Sequence, residues 1–308
     1  MSGPKPLLCG VELGGTKCEC LLGTDPTDVR ARSTIDTGRD AGVTLGRIAA
    51  LLEQWRAVHG EFAALGIASF GPLELRREAQ AYGRIGLTPK EGWSQVDVAG
   101  FFARRFGRPL GLTTDVIAAA LAEGRWGAAR GLTDYVYVTV GTGIGCGVIA
   151  AGRPLLGARH PELGHIRVAR APGDAWPGVC RFHGDCVEGL ASGPAIEARS
   201  GSAPAQLRAD DPVWETVAHA LAQLVHTLVL ALAPQRIVMG GGVLGAQPHL
   251  LQRIRSAASA SLNAYPDPGW IGSGLAQYLV PPGLGTLAGP LGALAVAADT
   301  CTAIAVSI

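Results

Sequence analysis

The chain has 308 residues, 48% hydrophobic and 17% charged, so it can bury a large core, and its length suggests about two domains. Its 44 glycines and 20 prolines stay below the share of roughly 25–30% that marks low-complexity disorder. A net charge of +1 gives no global field for nucleic acid or an anionic membrane, which excludes a basic nucleic-acid wrapper.

Residues 1–5 lack the charged-then-apolar order of a signal peptide. The apolar run 7–13 leads through a turn (Gly14, Gly15, Thr16) into a second run, 17–22. A third run, 29–35, completes an expected three-strand meander. Residues 43–58 place Leu45, Ile48, Leu51, Leu52 and Trp55 at helical spacing. A strand at 65–69 runs into Phe70-Gly71-Pro72. A helix at 96–106 and a strand at 110–113 follow, and an Ala-rich helix at 117–129 starts just after Asp115. The segment 135–140, the turn Gly141-Thr142-Gly143 and the segment 144–149 read as a second strand–turn–strand unit.

The apolar stretch 221–233 is cut by Gln223 and His226 and is too short for a bilayer, which takes about 20 residues. Residues 288–308 are long enough but contain Pro290, Gly292 and Asp299, and read as a buried helix followed by a strand or loose end. Seven cysteines are an odd number in a chain too long to need covalent staples. A disulfide framework is therefore not expected, and a reducing cytoplasm is.

VELGGTKCECLL (11–22) aligns with VTVGTGIGCGVI (138–149), so two halves begin in a similar way. Any two glycine-turned hairpins share this look, and the residues alone leave both readings open. Glycine lets backbone N–H groups approach an anion, and an adjacent hydroxyl adds a donor. If the repeat is real, two α/β lobes each offer such a turn to a cleft, where they could hold the two ends of a polyphosphate. The chain contains no Walker P-loop motif. Residues 240–245 match G-x-G-x-x-G, but no acid follows until Asp267, which argues against a dinucleotide fold while leaving a nucleotide contact open.

The strongest local signal is C-x2-H-x2-C. With His165, the residues Cys180, His183 and Cys186 make four soft or borderline ligands, enough for a closed, structural zinc site. Glu162 and Glu188 flank it; alone each is a surface acid, but beside the cluster they suit a polyol. Asp115 stands at a strand's carboxyl end, where α/β folds keep ligands. An ordinary helix N-cap explains that position as well, and on this feature alone explains it better.

These stretches resemble the ROK family (repressors, open reading frames, kinases) and, within it, the bacterial fructokinases. The resemblance is carried by GVELGGTK (10–17), ASFGPLEL (68–75), YGRIGLTPKEGW (82–93), TTDVIAAALAEG (113–124), VTVGTGIGCGVI (138–149), HPELGHI (160–166), CRFHGDCVEGLASGPAI (180–196), IVMGGGVL (237–244) and VPPGLGTLAGPLGAL (280–294). It implies a two-lobed, actin-like (ribonuclease H-like) α/β ATPase fold with the active site in the interdomain cleft. One lobe would span 1–115, joined by a C-terminal helix at about 290–308, and the other 116–289.

By the same resemblance Asp115 is the general base, and Gly71, Thr114, Glu162, His165 and Glu188 bind the sugar. Gly14, Gly15, Thr16, Lys17, Thr142 and Gly143 form the phosphate turns, with Gly240, Gly241 and Gly242 on the adenosine side. The implied cofactors are ATP, Mg²⁺ and a structural Zn²⁺ on His165, Cys180, His183 and Cys186. The implied partners are a small sugar, ATP and a second copy of the chain, with no nucleic acid and no membrane. Departures from the family pattern are Glu12 for a common Asp, Thr114 and Ile117 for common Asn residues, and Thr286-Leu287 for Asp-Asn. Fructokinase-like members also carry Glu at the first of these positions, so it is discounted; the others bear on sugar choice and nucleotide contacts, not on the reaction class.

The expected activity is ATP-dependent phosphorylation of D-fructose to D-fructose 6-phosphate. Rivals are kinases of glucose, mannose or N-acetylmannosamine in the same family. A sugar-sensing repressor is a further rival, disfavoured because the first strand begins near Leu7 and leaves no room for a helix-turn-helix. The 189–196 segment after the cysteines is small and apolar, against a zinc module for nucleic acid.

Overall fold

The computed structural model describes residues 5–265 and 275–306, so Asp267 and the last two residues of the expected C-terminal helix lie outside the described residues. The chain forms two α/β units, one of Met1–Gly127, Leu156–His160 and Leu287–Ile308, the other of Ala128–Leu155 and Pro161–Thr286.

In the first unit the meander forms as β1 (Leu8–Leu13), β2 (Lys17–Asp25) and β3 (Asp28–Asp36). Helix α1 (Ala41–His59) follows, then β4 (Ala64–Ser69), α2 (Val98–Phe106), β5 (Leu110–Thr114) and α3 (Asp115–Trp126). The sheet order is β3-β2-β1-β4-β5, antiparallel through the meander and parallel from β1 through β4 to β5. The helix starts are set by side-chain caps: Asp40 accepts from the Val43 amide, Asp97 from Gly100 and Thr114 from Ile117. These caps move α1 and α3 two residues earlier than hydrophobic spacing suggests, and α2 two residues later.

Alternation along the strands sends Cys9, Val11 and Leu13 into a cluster with Leu45, Ile48, Leu52 and Phe102 of α1 and α2. The opposite face receives the last described helix, α9 (Ala288–Val306). Gly10, Gly66 and Gly111 lie in register across β1, β4 and β5. A Cβ at Gly10 would stand 2.7 Å from the Leu294 amide, and one at Gly66 would overlap the Ala293 carbonyl. The three glycines make a groove that seats the α9 backbone. Helix α3 packs on α9 through Ala118, and Gly292 permits that approach. Because α3 lies with the first unit, the division falls after Gly127 and not at the 115 read from the sequence.

The second unit repeats the topology with β6 (Tyr135–Val140), β7 (Ile144–Ala150) and β8 (Arg153–Pro154), then β9 (Arg236–Gly240) and β10 (Leu279–Val280). Its order is β10-β9-β6-β7-β8, an antiparallel meander continued by two parallel strands. The repeat seen in the two hairpins is therefore real at the level of whole sheets. Its helices are α4 (Val187–Ala191), α5 (Gly193–Ser200), α6 (Val213–Leu232), α7 (Gly242–Ala246) and α8 (His249–Leu262).

The apolar stretch at 221–233 belongs to α6, which starts at Val213 and has 20 residues, long and apolar enough to cross a membrane by length and composition. Half of that window is buried inside the protein. Trp214, Leu221, Leu224 and Leu228 pack against Val136, Val138 and Ile254. The two polar residues that interrupt the stretch are used: Gln223 donates to Ser261 at 2.9 Å, and His226 Nδ1 lies 2.9 Å from the same hydroxyl.

Candidate functional site

In the first unit, the turn between β1 and β2 keeps its carbonyls behind it. Gly14 O accepts from the Thr37 hydroxyl at 2.8 Å, and Thr16 O accepts from the Thr37 amide at 2.9 Å. Gly15 and Thr16 are exposed, and their amides have no hydrogen-bond partner among the described residues. Unpartnered N–H groups on an exposed glycine turn are what an anion needs. Lys17, expected to contact phosphate, pairs its ammonium with Glu19, which also holds Arg32 at 2.6 Å.

Asp115 opens α3, but the cap is Thr114, whose buried hydroxyl accepts from the Ile117 amide at 3.3 Å. Asp115 is the first helical residue, and its carboxylate accepts from the adjacent Val116 amide, at 2.9 Å to Oδ1, and from its own backbone amide. The N-cap explanation therefore falls to Thr114, whose hydroxyl is already engaged as an acceptor. Burial pushes the Asp115 carboxyl up to about 6, against the lowering effect of backbone hydrogen bonds.

Glu12, which sequence reasoning recorded only as a departure, is pushed up to about 8 by burial and then by the charges of Asp115 and Glu19. Its carboxylate lies against Gly289 in the first turn of α9. The signal available in the sequence was a charged residue inside the apolar run just before the turn.

Gly71 stands beside an imidazole: His160 Nε2 accepts from the Leu73 amide at 3.1 Å, and a Cβ on Gly71 would come 3.4 Å from His160 Cε1. His160 begins HPELGHI, yet sequence reasoning gave it no role.

In the second unit the corresponding turn is built the same way. Gly141 O accepts from the Gly193 amide at 2.7 Å and Gly143 O from the Gly141 amide at 2.9 Å. The amides of Thr142 and Gly143 have no partner among the described residues. Glu188, carried on α4, reaches this hairpin, where its Oε2 accepts from the Ile144 amide at 3.0 Å. Its Oε1 lies 3.8 Å from His165 Nε2.

His165 ends a short 3₁₀ turn (Leu163–His165) that follows the exposed Glu162, and Gly164 within it lies against the Ile144 carbonyl with no room for a side chain. The other ring nitrogen, His165 Nδ1, is 3.6 Å from the sulfurs of both Cys180 and Cys186. Cys180 Sγ lies 3.7 Å from His183 Nδ1, and the ligand atoms of all four residues fall within 4.8 Å of one another.

Tetrahedral zinc, with Zn–S of about 2.3 Å and Zn–N of about 2.0–2.1 Å, separates sulfur from nitrogen by about 3.6 Å. The donor set and its spacing fit that ion. The tight loop is closed by paired backbone bonds between Cys180 and Gly184, at 3.1 and 2.8 Å, and Gly184 takes a positive φ of 64°. The same loop ends at Cys186, which caps α4 and so fixes the helix that carries Glu188.

At the far end of β9, Gly240 and Gly241 approach Pro282 and the Val140 backbone closely, whereas Gly242 faces open space at the start of the five-residue α7. The structure thus gathers Gly14, Gly15, Thr16, Gly71, Thr114 and Asp115 in the first unit. It gathers Thr142, Gly143, Glu162, His165, Cys180, His183, Cys186, Glu188 and Gly240–Gly242 in the second.

Against known proteins, the model of the ROK family matches residues 8–300. A fructokinase of Zymomonas mobilis is 39% identical over 304 residues, covering 96% of this chain and 98% of that protein. A fructokinase of Pediococcus pentosaceus is 38% identical over 291 residues, covering 94% and 97%. A solved ROK hexokinase from Thermus thermophilus, 29% identical, matches with a TM-score of 0.78 over 96% of this chain and 99% of that one.

Proposed function

The chain belongs to the ROK family, and from that membership we propose that it is an ATP-dependent sugar kinase converting D-fructose to D-fructose 6-phosphate. The observation that carries the reading is the duplicated glycine turn, with two amides in each unit that have no hydrogen-bond partner among the described residues. Phosphoryl transfer asks the protein mainly for positioning and charge neutralisation, which such turns supply.

In this reading the sugar hydroxyl oxygen attacks the γ-phosphorus, the bond to the β,γ-bridging oxygen breaks, and the hydroxyl proton passes to the Asp115 carboxylate. A carboxyl raised to about 6 is ionised at neutral pH yet basic enough to take that proton. Glu162, His165 and Glu188 hold sugar hydroxyls, and Gly71 offers its backbone. Glycines 240–242 serve the adenosine side. Mg²⁺ accompanies ATP and supplies positive charge against its phosphate oxygens. His165, Cys180, His183 and Cys186 would hold a structural zinc, whose chemistry is to tie the loop and leave His165 Nε2 turned toward Glu188. A homodimer in the cytoplasm completes the reading.

The names of the relatives support fructose as the acceptor. Thr114 has a shorter side chain than Asn and one hydroxyl oxygen in place of an amide's separate donor and acceptor, so it cannot bridge two adjacent hydroxyls as an Asn would. Coupled ADP-release kinetics across fructose, glucose, mannose and N-acetylmannosamine at matched ATP test the assignment. Fructose should have the highest kcat/KM, and glucose equal to or above fructose would leave only the sugar-kinase class.

A further inference from the structure

We propose that Lys90 is a positioning residue for the anion-binding face of the 14–17 turn, an inference that rests on the kinase reading above. Lys90 lies in a loop between β4 and α2. Its ammonium crosses to the turn and donates to Gly15 O at 2.7 Å and to Thr37 O at 2.9 Å. With those bonds each of the three turn carbonyls has a donor, two from Thr37 and one from Lys90.

The consequence follows from peptide geometry. In a planar trans peptide the carbonyl of one residue and the N–H of the next point in opposite directions. Holding Gly14 O therefore aims the Gly15 N–H, and holding Gly15 O aims the Thr16 N–H. The Gly15 position has no atom within 4 Å of where a Cβ would be, and glycine rotates freely, so among the described residues the Lys90 bond is what restrains that peptide. The same bond places a positive charge on the carbonyl and polarises the peptide, which strengthens the N–H as a donor to phosphate.

The loop that carries Lys90 is anchored without its side chain. Trp93 is fully buried and donates its indole N–H to Gly38 O at 2.9 Å. Gly92, at φ 77°, lies against the Arg39 carbonyl where no Cβ would fit. The Lys90 ammonium can thus be removed with the loop retained.

The test compares wild type with Lys90→Met and Lys90→Arg. Titration calorimetry with Mg²⁺ and a non-hydrolysable ATP analogue measures binding, and steady-state kinetics measure turnover. Lys90→Met should weaken analogue binding and raise KM for ATP by about ten-fold, as expected when the charged hydrogen bond that holds Gly15 O is lost. KM for fructose should stay within about two-fold and Tm near the wild-type value. Lys90→Arg, which keeps the charge and the donors, should recover most of the loss. Wild-type protein that binds no nucleotide overturns both this inference and the kinase reading. Unchanged analogue binding by Lys90→Met overturns this inference alone, as does a rise in fructose KM that matches the rise for ATP.

Discussion

Asp115 shows how a neighbour decides a residue's chemistry. Had its carboxylate capped α3, it would be spent on backbone amides and held low; Thr114 takes that duty and leaves Asp115 in a setting where burial wins. Asp115→Asn keeps the shape and removes the proposed base, so kcat should fall by roughly 10²–10⁴ while KM for the sugar changes little. Turnover near wild type would place the base elsewhere. The same raised carboxyl sets the pH dependence: kcat/KM should climb as pH rises through about 6, and a profile flat from pH 5 to 8 would contradict it. Stability runs the other way. The folded state holds a proton that the unfolded chain has already released, so Asp115 favours folding less as pH rises from the ordinary carboxylate range to about 6, and Glu12 extends that decline to about 8.

At the scale of the element, the 180–186 loop carries three of the four residues proposed to hold zinc, and His165 supplies the fourth. It has few apolar contacts of its own; Phe182 and His183 are exposed. Cys180→Ser should abolish a stoichiometric zinc measured by elemental analysis, raise KM for the sugar through the displaced Glu188, and lower Tm. One zinc per chain retained by the variant would remove the ligand assignment.

This element was legible in the sequence because three of its four candidate ligands lie within seven residues, and the two glycine turns stood out as short local motifs whose equivalence only the sheet order decided. Lys90 was not, since its partners Gly15 and Thr37 are 75 and 53 residues away and no local pattern records a single long-range hydrogen bond. Thr114 and Asp115 were ambiguous for a different reason. Both are good capping residues, and only backbone geometry tells which of them caps.

Over the whole molecule, the first unit is closed by the glycine row across β1, β4 and β5. From the sequence, Gly10, Gly66 and Gly111 look unrelated, because their alignment depends on strand register. Gly66→Ala should drive a methyl group into the Ala293 carbonyl and cost about 1–3 kcal/mol, lowering Tm, with α9 and its contact to Glu12 displaced. A Tm equal to wild type would show that the groove has slack.

The groove also imposes an order on synthesis. The second unit is complete once Thr286 has been made, whereas β4 ends at Ser69 and must wait for Ala288 and the residues after it. At roughly 5–20 residues per second, the wait is on the order of ten to forty seconds. Through that interval the nascent chain presents an uncovered sheet face to the ribosome's surroundings, and the part of the protein translated first is the part that finishes folding last.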